Sequence, residues 1–204
     1  MGKVTFIGDI HGKLSAYSRI VSAIPFKEMS ICVGDFGFEY EWDWYLQKKV
    51  DREIRPHNYI NPGNHDYGPY LNDKEKSLGN WHYFEDENIF TVRGAWSIDK
   101  VYRTEGFDWF DNEELTYVEG LEALDYYTKV KPRIVVSHDC PHHVRNSLFG
   151  ITQKSATSNL LQAMFDEHLP ELWVFGHHHK HRDANIFGTR FICLEELQTF
   201  ELIL

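Results

Sequence analysis

This sequence predicts an α/β fold in which two β-sheets pack face to face with helices outside. Two observations predict it: short apolar runs alternate with longer amphipathic stretches early in the chain, and the final stretch from Asn185 to Leu204 is strand-rich. A third observation sets the unit. No linker, low-complexity tract or fixed-period repeat interrupts the chain, so residues 1–204 read as one domain.

The elements follow in order. Val4-Thr5-Phe6-Ile7 is strand-like, and Leu14 to Ile24 carries apolar residues at helical spacing (Leu14, Tyr17, Ile20, Val21, Ile24) before Pro25 stops it. Ile31-Cys32-Val33 is the second strand, Trp42 to Ile54 a helix, and Asn58-Tyr59-Ile60 a third strand. Trp81-His82-Tyr83-Phe84 and Asn88 to Val92 pair around the acidic turn Glu85-Asp86-Glu87. Asp111 or Asn112 is expected to cap a helix from Glu113 to about Tyr127. Ile134-Val135-Val136 is a strand, Ala156 to His168 a helix, and Trp173-Val174-Phe175 a strand. The end reads as a β-meander turning at Phe187-Gly188-Thr189.

Composition removes whole classes of function. With 42% hydrophobic and 25% charged residues in 204, the chain is neither disordered, collagen-like nor a coiled coil. Its net charge of −10 argues against strong non-specific nucleic-acid binding, which needs a basic surface. No stretch approaches the roughly 20 apolar residues of a membrane helix, and the start lacks a long apolar leader, so no membrane association is expected. Three scattered cysteines make no disulfide framework. Cys32 and Cys193 sit in apolar runs as small buried hydrophobes, and a reducing cytoplasm is the expected compartment.

One arrangement recurs five times: an apolar run leading into a turn rich in ligating residues. The turns are Gly8-Asp9-Ile10-His11-Gly12, Gly34-Asp35-Phe36-Gly37, Asn61-Pro62-Gly63-Asn64-His65-Asp66, Ser137-His138-Asp139 and Gly176-His177-His178-His179. In α/β sheets the carboxyl ends of parallel strands open onto one crevice, where sites assemble. Asp, His and Asn supply the oxygen and imidazole donors that suit Mn, Fe, Zn or Ni. One such turn is ordinary loop chemistry, because Asn and Asp favour turns; five of them, each ending an apolar run, are not.

These blocks resemble those of the calcineurin-like metallophosphoesterases, in order, from residue 8 to residue 179. The segment Arg93 to Lys100, with Arg103 and Trp109, is similar to a small bacterial and phage branch of that family. The resemblance implies a four-layer αββα sandwich holding two divalent ions, Mn foremost, with Fe, Zn, Ni or Mg as alternatives. It implies Asp9, His11 and His179 on one metal, Asn64, His138 and His177 on the other, and Asp35 bridging them. His65 would be a general acid or transition-state stabiliser oriented by Asp66, and a hydroxide bridging the metals would be the nucleophile. Two divalent ions outweigh the charges of Asp9 and Asp35, giving a positive centre in an acidic protein.

Around these blocks, Arg93 and Arg103 are the phosphate-binding candidates, because arginine offers a planar fork to phosphate oxygens. Asp139 and His178, beside ligands, are expected to point elsewhere, and His142, His143 and Arg145 read as solvated loop residues. A cysteine-dependent phosphatase fails because Arg145 is five, not six, positions after Cys140. An amidohydrolase barrel of about 250 residues fits neither the length nor Asp9-Ile10-His11. A β-lactamase-like hydrolase would carry its densest His/Asp cluster early, not near the end. The preferred substrate is a small phosphomonoester or phosphodiester, with nucleotides included. The alternatives are a protein serine/threonine phosphatase, disfavoured because Gly34-Asp35-Phe36-Gly37-Phe38-Glu39-Tyr40 lacks that group's arginine, and a non-catalytic metal-binding scaffold.

Overall fold

The computed structural model describes residues 2–37, 56–66, 77–106 and 109–204. Two sheets organise them. The smaller runs in the order β10-β1-β2-β3, built from β1 (Lys3–Ile7), β2 (Met29–Cys32), β3 (Asn58–Ile60) and β10 (Thr199–Ile203). The larger runs β4-β5-β6-β7-β9-β8, from β4 (Trp81–Phe84), β5 (Ile89–Val92), β6 (Ile134–Ser137), β7 (Leu172–Phe175), β8 (Arg182–Ile186) and β9 (Thr189–Cys193). Among the described residues, four helices flank them: α1 (Leu14–Ala23), α2 (Tyr117–Val130), α3 (His142–Phe149) and α4 (Ala156–Glu167).

The two-residue period of the strands separates the layers. Ile134 and Val136 of β6 and Leu172 and Val174 of β7 face Val4, Phe6 and Ile31 of the small sheet, forming the core between sheets. The intervening Val135, Trp173 and Phe175 face Ala123, Tyr127, Leu161 and Met164 on the helices behind the large sheet. Ile7 and Cys32 point the other way, onto Leu14, Tyr17 and Val21 of α1. The four layers are therefore helix, sheet, sheet, helix. Nearly continuous apolar runs in β6 and β7 are what strands covered on both faces require. Among the described residues, no helix is long and apolar enough to cross a membrane.

Three expectations change, and one lies outside the described residues: the helix from Trp42 to Ile54. The helix expected from Glu113 begins at Tyr117, because Thr116 and Glu119 form a reciprocal capping box there. The terminal meander is broken. β8 and β9 pair through Phe187-Gly188, both at positive φ, but β10 leaves for the small sheet and pairs antiparallel with β1. Residues 142–149 are a helix rather than a solvated loop, and Val144 and Arg145 on it are buried. Cys140, outside any apolar run, is as buried as Cys32 and Cys193.

Candidate metal centre

The parallel strands β1, β2 and β3 of one sheet and β6 and β7 of the other end at a common edge, each running into one of the five turns. Main-chain bonds tie the turns together before any side chain acts. The Asp35 carbonyl accepts from Ile10 N at 3.0 Å and His11 N at 2.7 Å, and Gly176 N donates to the His138 carbonyl at 3.1 Å. The segment before β10 closes the first turn from the far side, with Leu197 N on the Asp9 carbonyl and Gly8 N on the Gln198 carbonyl.

Two donor groups result. Asp9, His11, Asp35 and His179 form the first, and Asp35, His138 and His177 the second. Asp35 belongs to both through different oxygens: Oδ2 lies 3.8 Å from His11 Nε2 and Oδ1 lies 3.2 Å from His138 Nε2. In the first group, His179 Nε2 is 3.1 Å from Asp9 Oδ2 and 3.0 Å from His11 Nε2. In the second, Asn64 Oδ1 is 3.0 Å from His138 Nε2. Donors about 2.0–2.2 Å from an ion, at tetrahedral or octahedral angles, lie about 3.0–3.4 Å from one another, so these groups have the spacing of a coordination shell. Asp9 Oδ1 is fully buried with no hydrogen-bond partner, 3.8 Å from His138 Nδ1, a state that is costly for a carboxylate oxygen unless a cation meets it. The residues present fit two divalent ions.

The backbone is shaped to the same end. His11, Asp35, His177 and His179 all sit at positive φ (46°, 45°, 64° and 50°), a region that costs non-glycine residues energy and marks sites whose geometry is imposed. Gly63 and Gly176 have no room for a side chain: a Cβ on Gly63 would strike Asp35 Oδ1, and one on Gly176 would strike Asp9 Oδ1.

Without ions, charges are strongly perturbed. Burial works against a charged His138, but the carboxylates of Asp35 and Asp9 outweigh it and raise its pKa to about 9. Asp35 is held far below the usual carboxylate range by His138, His65 and His11, against its burial. Burial leaves the His177 ring neutral, its pKa lowered to about 3, which frees a lone pair for coordination. The hydrogen bond to Asp9 raises His179.

His65 and Asp66 lie one step outside. The His65 main-chain N–H donates to Asp35 Oδ1 at 2.9 Å, and the ring faces Arg103, whose NH1 and NH2 lie 2.9 Å from Nδ1 and 2.8 Å from Nε2. A neutral imidazole has one free lone pair, so one of these contacts is a hydrogen bond and the other a close approach. Asp66 accepts from the main-chain amides of Phe36, Gly37 and Gly63 at 2.8–3.0 Å, binding the second and third turns together. Arg103 thus stands at the centre, anchored also on Asp99. Arg93 does not reach it: its buried guanidinium is spent on Asn80 Oδ1 and the Asn112 carbonyl.

Three further groups carried no sequence signal. Ser97 and Glu113 back Asn64, and Glu196 brings a carboxylate 3.6 Å from His179 Nδ1. Ser97 lies inside the segment Arg93 to Lys100, whose resemblance to a branch of the family assigns it no role, whereas Glu113 and Glu196 are single acidic residues among many. A cavity of about 230 Å³ whose lining includes Trp96, Ile98, Arg145, Gln153, His177 and His178 abuts the second group. Another of about 360 Å³, between α2 and α4, is lined by residues such as Leu121, Leu124, Leu160 and Ala163 and has no carboxylate or imidazole in its wall.

The family model of the calcineurin-like phosphoesterases matches residues 2–181. Among solved structures the fold is similar to a dimetal phosphatase from Danio rerio (TM-score 0.59, 11% identity, 96% of this chain and 88% of that one). It is also similar to a phosphopantetheinyl hydrolase from Mycobacterium tuberculosis (TM-score 0.58, 11% identity, 96% and 90%). A putative 5′-nucleotidase from Staphylococcus aureus matches with TM-score 0.57 and 15% identity over 98% of this chain, which spans 50% of that protein. Among curated proteins no sequence match is found.

Proposed function

The chain belongs to the calcineurin-like phosphoesterases, metal-dependent hydrolases of phosphoesters, and from that premise we propose that it cleaves a small phosphomonoester or phosphodiester, nucleotides included. The observation that carries this reading is Asp35, whose two oxygens face two separate donor groups. In it Asp9, His11, Asp35 and His179 hold one ion, and Asp35, Asn64, His138 and His177 the other, with manganese the preferred metal. Two such ions supply positive charge to the phosphoryl oxygens and lower the pKa of the attacking water.

The chain's own residues do the rest. Arg103, fixed by Asp99 and lying against the His65 ring, exchanges a ring contact for a phosphate oxygen when substrate arrives. His65, tethered through its main chain to the bridging carboxylate, gives a ring proton to the departing oxygen. Asp66 keeps that turn in place through three amides, which is how it orients His65. Residues 1–204 act as one domain, in the cytoplasm, and a cavity of about 230 Å³ beside the second group offers room for a small ester.

The test is phosphate release from nitrophenyl phosphate, bis-nitrophenyl phosphate and nucleoside monophosphates by manganese-loaded protein, with His65→Ala alongside. Wild type turns over at least one ester. His65→Ala keeps its metal but loses about 10²–10⁴-fold in kcat on alkyl leaving groups, and less on nitrophenolate. No turnover at full metal occupancy refutes the hydrolytic reading; equal losses on both leaving groups remove only the acid role.

A further inference from the structure

An asparagine amide has nearly the same outline either way round, yet only its oxygen can ligate a cation. Something must choose the orientation of Asn64. We propose that Glu113 does so: by taking the Ser97 hydroxyl proton, it obliges the Asn64 amide to present Oδ1 to the Asp35–His138–His177 group. Glu113 is thus a positioning residue, and this inference rests on the dinuclear reading above.

The three residues form a sealed chain, with exposures of 4% for Asn64, 1% for Ser97 and 3% for Glu113. Ser97 N–H donates to Glu113 Oε1 at 3.1 Å and Ser97 O–H donates to Glu113 Oε2 at 2.5 Å. A carboxylate only accepts, so the hydroxyl proton is committed and its lone pairs face Asn64. The atom opposite, at 2.9 Å, must be a donor: Asn64 Nδ2. Oδ1 is left pointing at His138 Nε2, 3.0 Å away. Reversing the Ser97 proton would reverse the amide and turn an NH₂ group toward the cation. The orientation depends on Glu113 having no proton of its own to give, not on the space it fills.

Glu113→Gln keeps the volume and can still accept from Ser97 N–H, but its NH₂ can donate to Ser97 Oγ. The hydroxyl is then free to donate to Asn64, and the amide turns round. Equilibrium dialysis against Mn²⁺, with electron paramagnetic resonance to separate lone from coupled ions, reads this directly. Wild type binds two ions. Glu113→Gln holds the first as wild type does and the second about 10–100-fold more weakly, the usual effect of altering a ligand's outer partner. Ser97→Ala, which frees the amide without driving it round, weakens the second ion by a smaller factor.

A Glu113→Gln protein that binds both ions like wild type, as a space-filling role demands, overturns the proposal. So does a folded variant that loses both ions together. If Glu113→Gln does not fold, Ser97→Ala decides, and an unchanged second ion there is equally fatal. Fewer than two ions on wild type removes the dinuclear reading along with this inference, and needs no variant to show it.

Discussion

Two clusters of carboxylate and imidazole meet at the ends of β6 and β7: His138 and His177 with Asp35 from the end of β2, and, one residue further on, Asp139 with His178. By residue type both are able to hold a metal ion. By bonding they differ completely. Asp139 Oδ1 accepts from Cys140 N at 2.8 Å and faces His178 Nε2 at 3.2 Å, while Oδ2 accepts from Arg145 NH1 at 2.9 Å. Arg145 NH2 goes on to the Gln153 carbonyl and Ser158, leaving only Nε over, and the His178 ring stacks on Phe149. The Asp139 carboxylate already has its cation, a guanidinium. Next door, Asp9 Oδ1 accepts no hydrogen bond, standing 3.8 Å from His138 Nδ1, and ligand nitrogens face one another. A metal centre is recognised less by the density of ligating residues than by the valences they leave unmet.

The sharpest way to break this contrast is to remove one carboxylate from each side. Asp35→Asn takes charge from both donor groups, and is expected to bind at most one manganese and to lose about 10³-fold or more in kcat. That corresponds to about 4 kcal/mol of lost charge stabilisation. Metal analysis and turnover of the same preparation check it; two ions retained with full activity would put the metals elsewhere.

Asp139→Asn should do the opposite. It strands a buried Arg145 and lowers stability by about 3–5 kcal/mol in urea unfolding, yet leaves two manganese ions bound. Burial disfavours the Asp139 charge, but the His178 hydrogen bond and the neighbouring His177, His178 and Arg145 hold its pKa well below the usual range. A folded pKa below the unfolded value of about 3.9 gives stability that is full above that value and is lost as pH falls beneath it. The gap between wild type and Asp139→Asn therefore narrows from pH 7 to pH 3. A gap of constant size would detach the effect from ionisation.

The smallest effect sharpens the other side. His138, held to a pKa of about 9, is protonated at pH 7 in the metal-free protein, so metal loading there expels about one proton. The release from this ring disappears by pH 10, where the proton is already gone. Calorimetry of manganese binding in Pipes and in Tris should give different heats at pH 7; identical heats would mean that His138 was already neutral. The same raised pKa stabilises the metal-free fold below about pH 6.5, and that contribution is lost as pH rises through 9.

The strand-end turns were legible because ligand type and apolar run coincide in sequence, and the layer pattern followed from the period of the strands. What sequence missed has physical causes. Arg145 looked like a loop residue because His142 and His143 dilute the apolar face of α3, whereas its environment is set by Asp139, which no spacing rule connects to it. Thr116 and Glu119 did carry the three-residue signature of a helix start, and the nearer Asp111 and Asn112 masked it. β10, with its alternating half-exposed pattern, looks like one more hairpin strand, because alternation fixes a strand's face and not its neighbour. The backing of Asn64 by Ser97 and Glu113 is a hydrogen-bond direction, visible only once three distant residues meet.

The pairing of Lys3 with Ile203, at the two ends of the described strands, gives the molecule a particular order of birth. During synthesis the turn bearing Asp9 and His11 is the first of the five to emerge. Its strand keeps a bare edge until residues 195–203 arrive to clasp it. A nascent chain therefore carries nearly every ligand long before it owns a finished cage for them. Acquisition of metal therefore waits on the strand that closes the small sheet, not on the last of the ligands to be made.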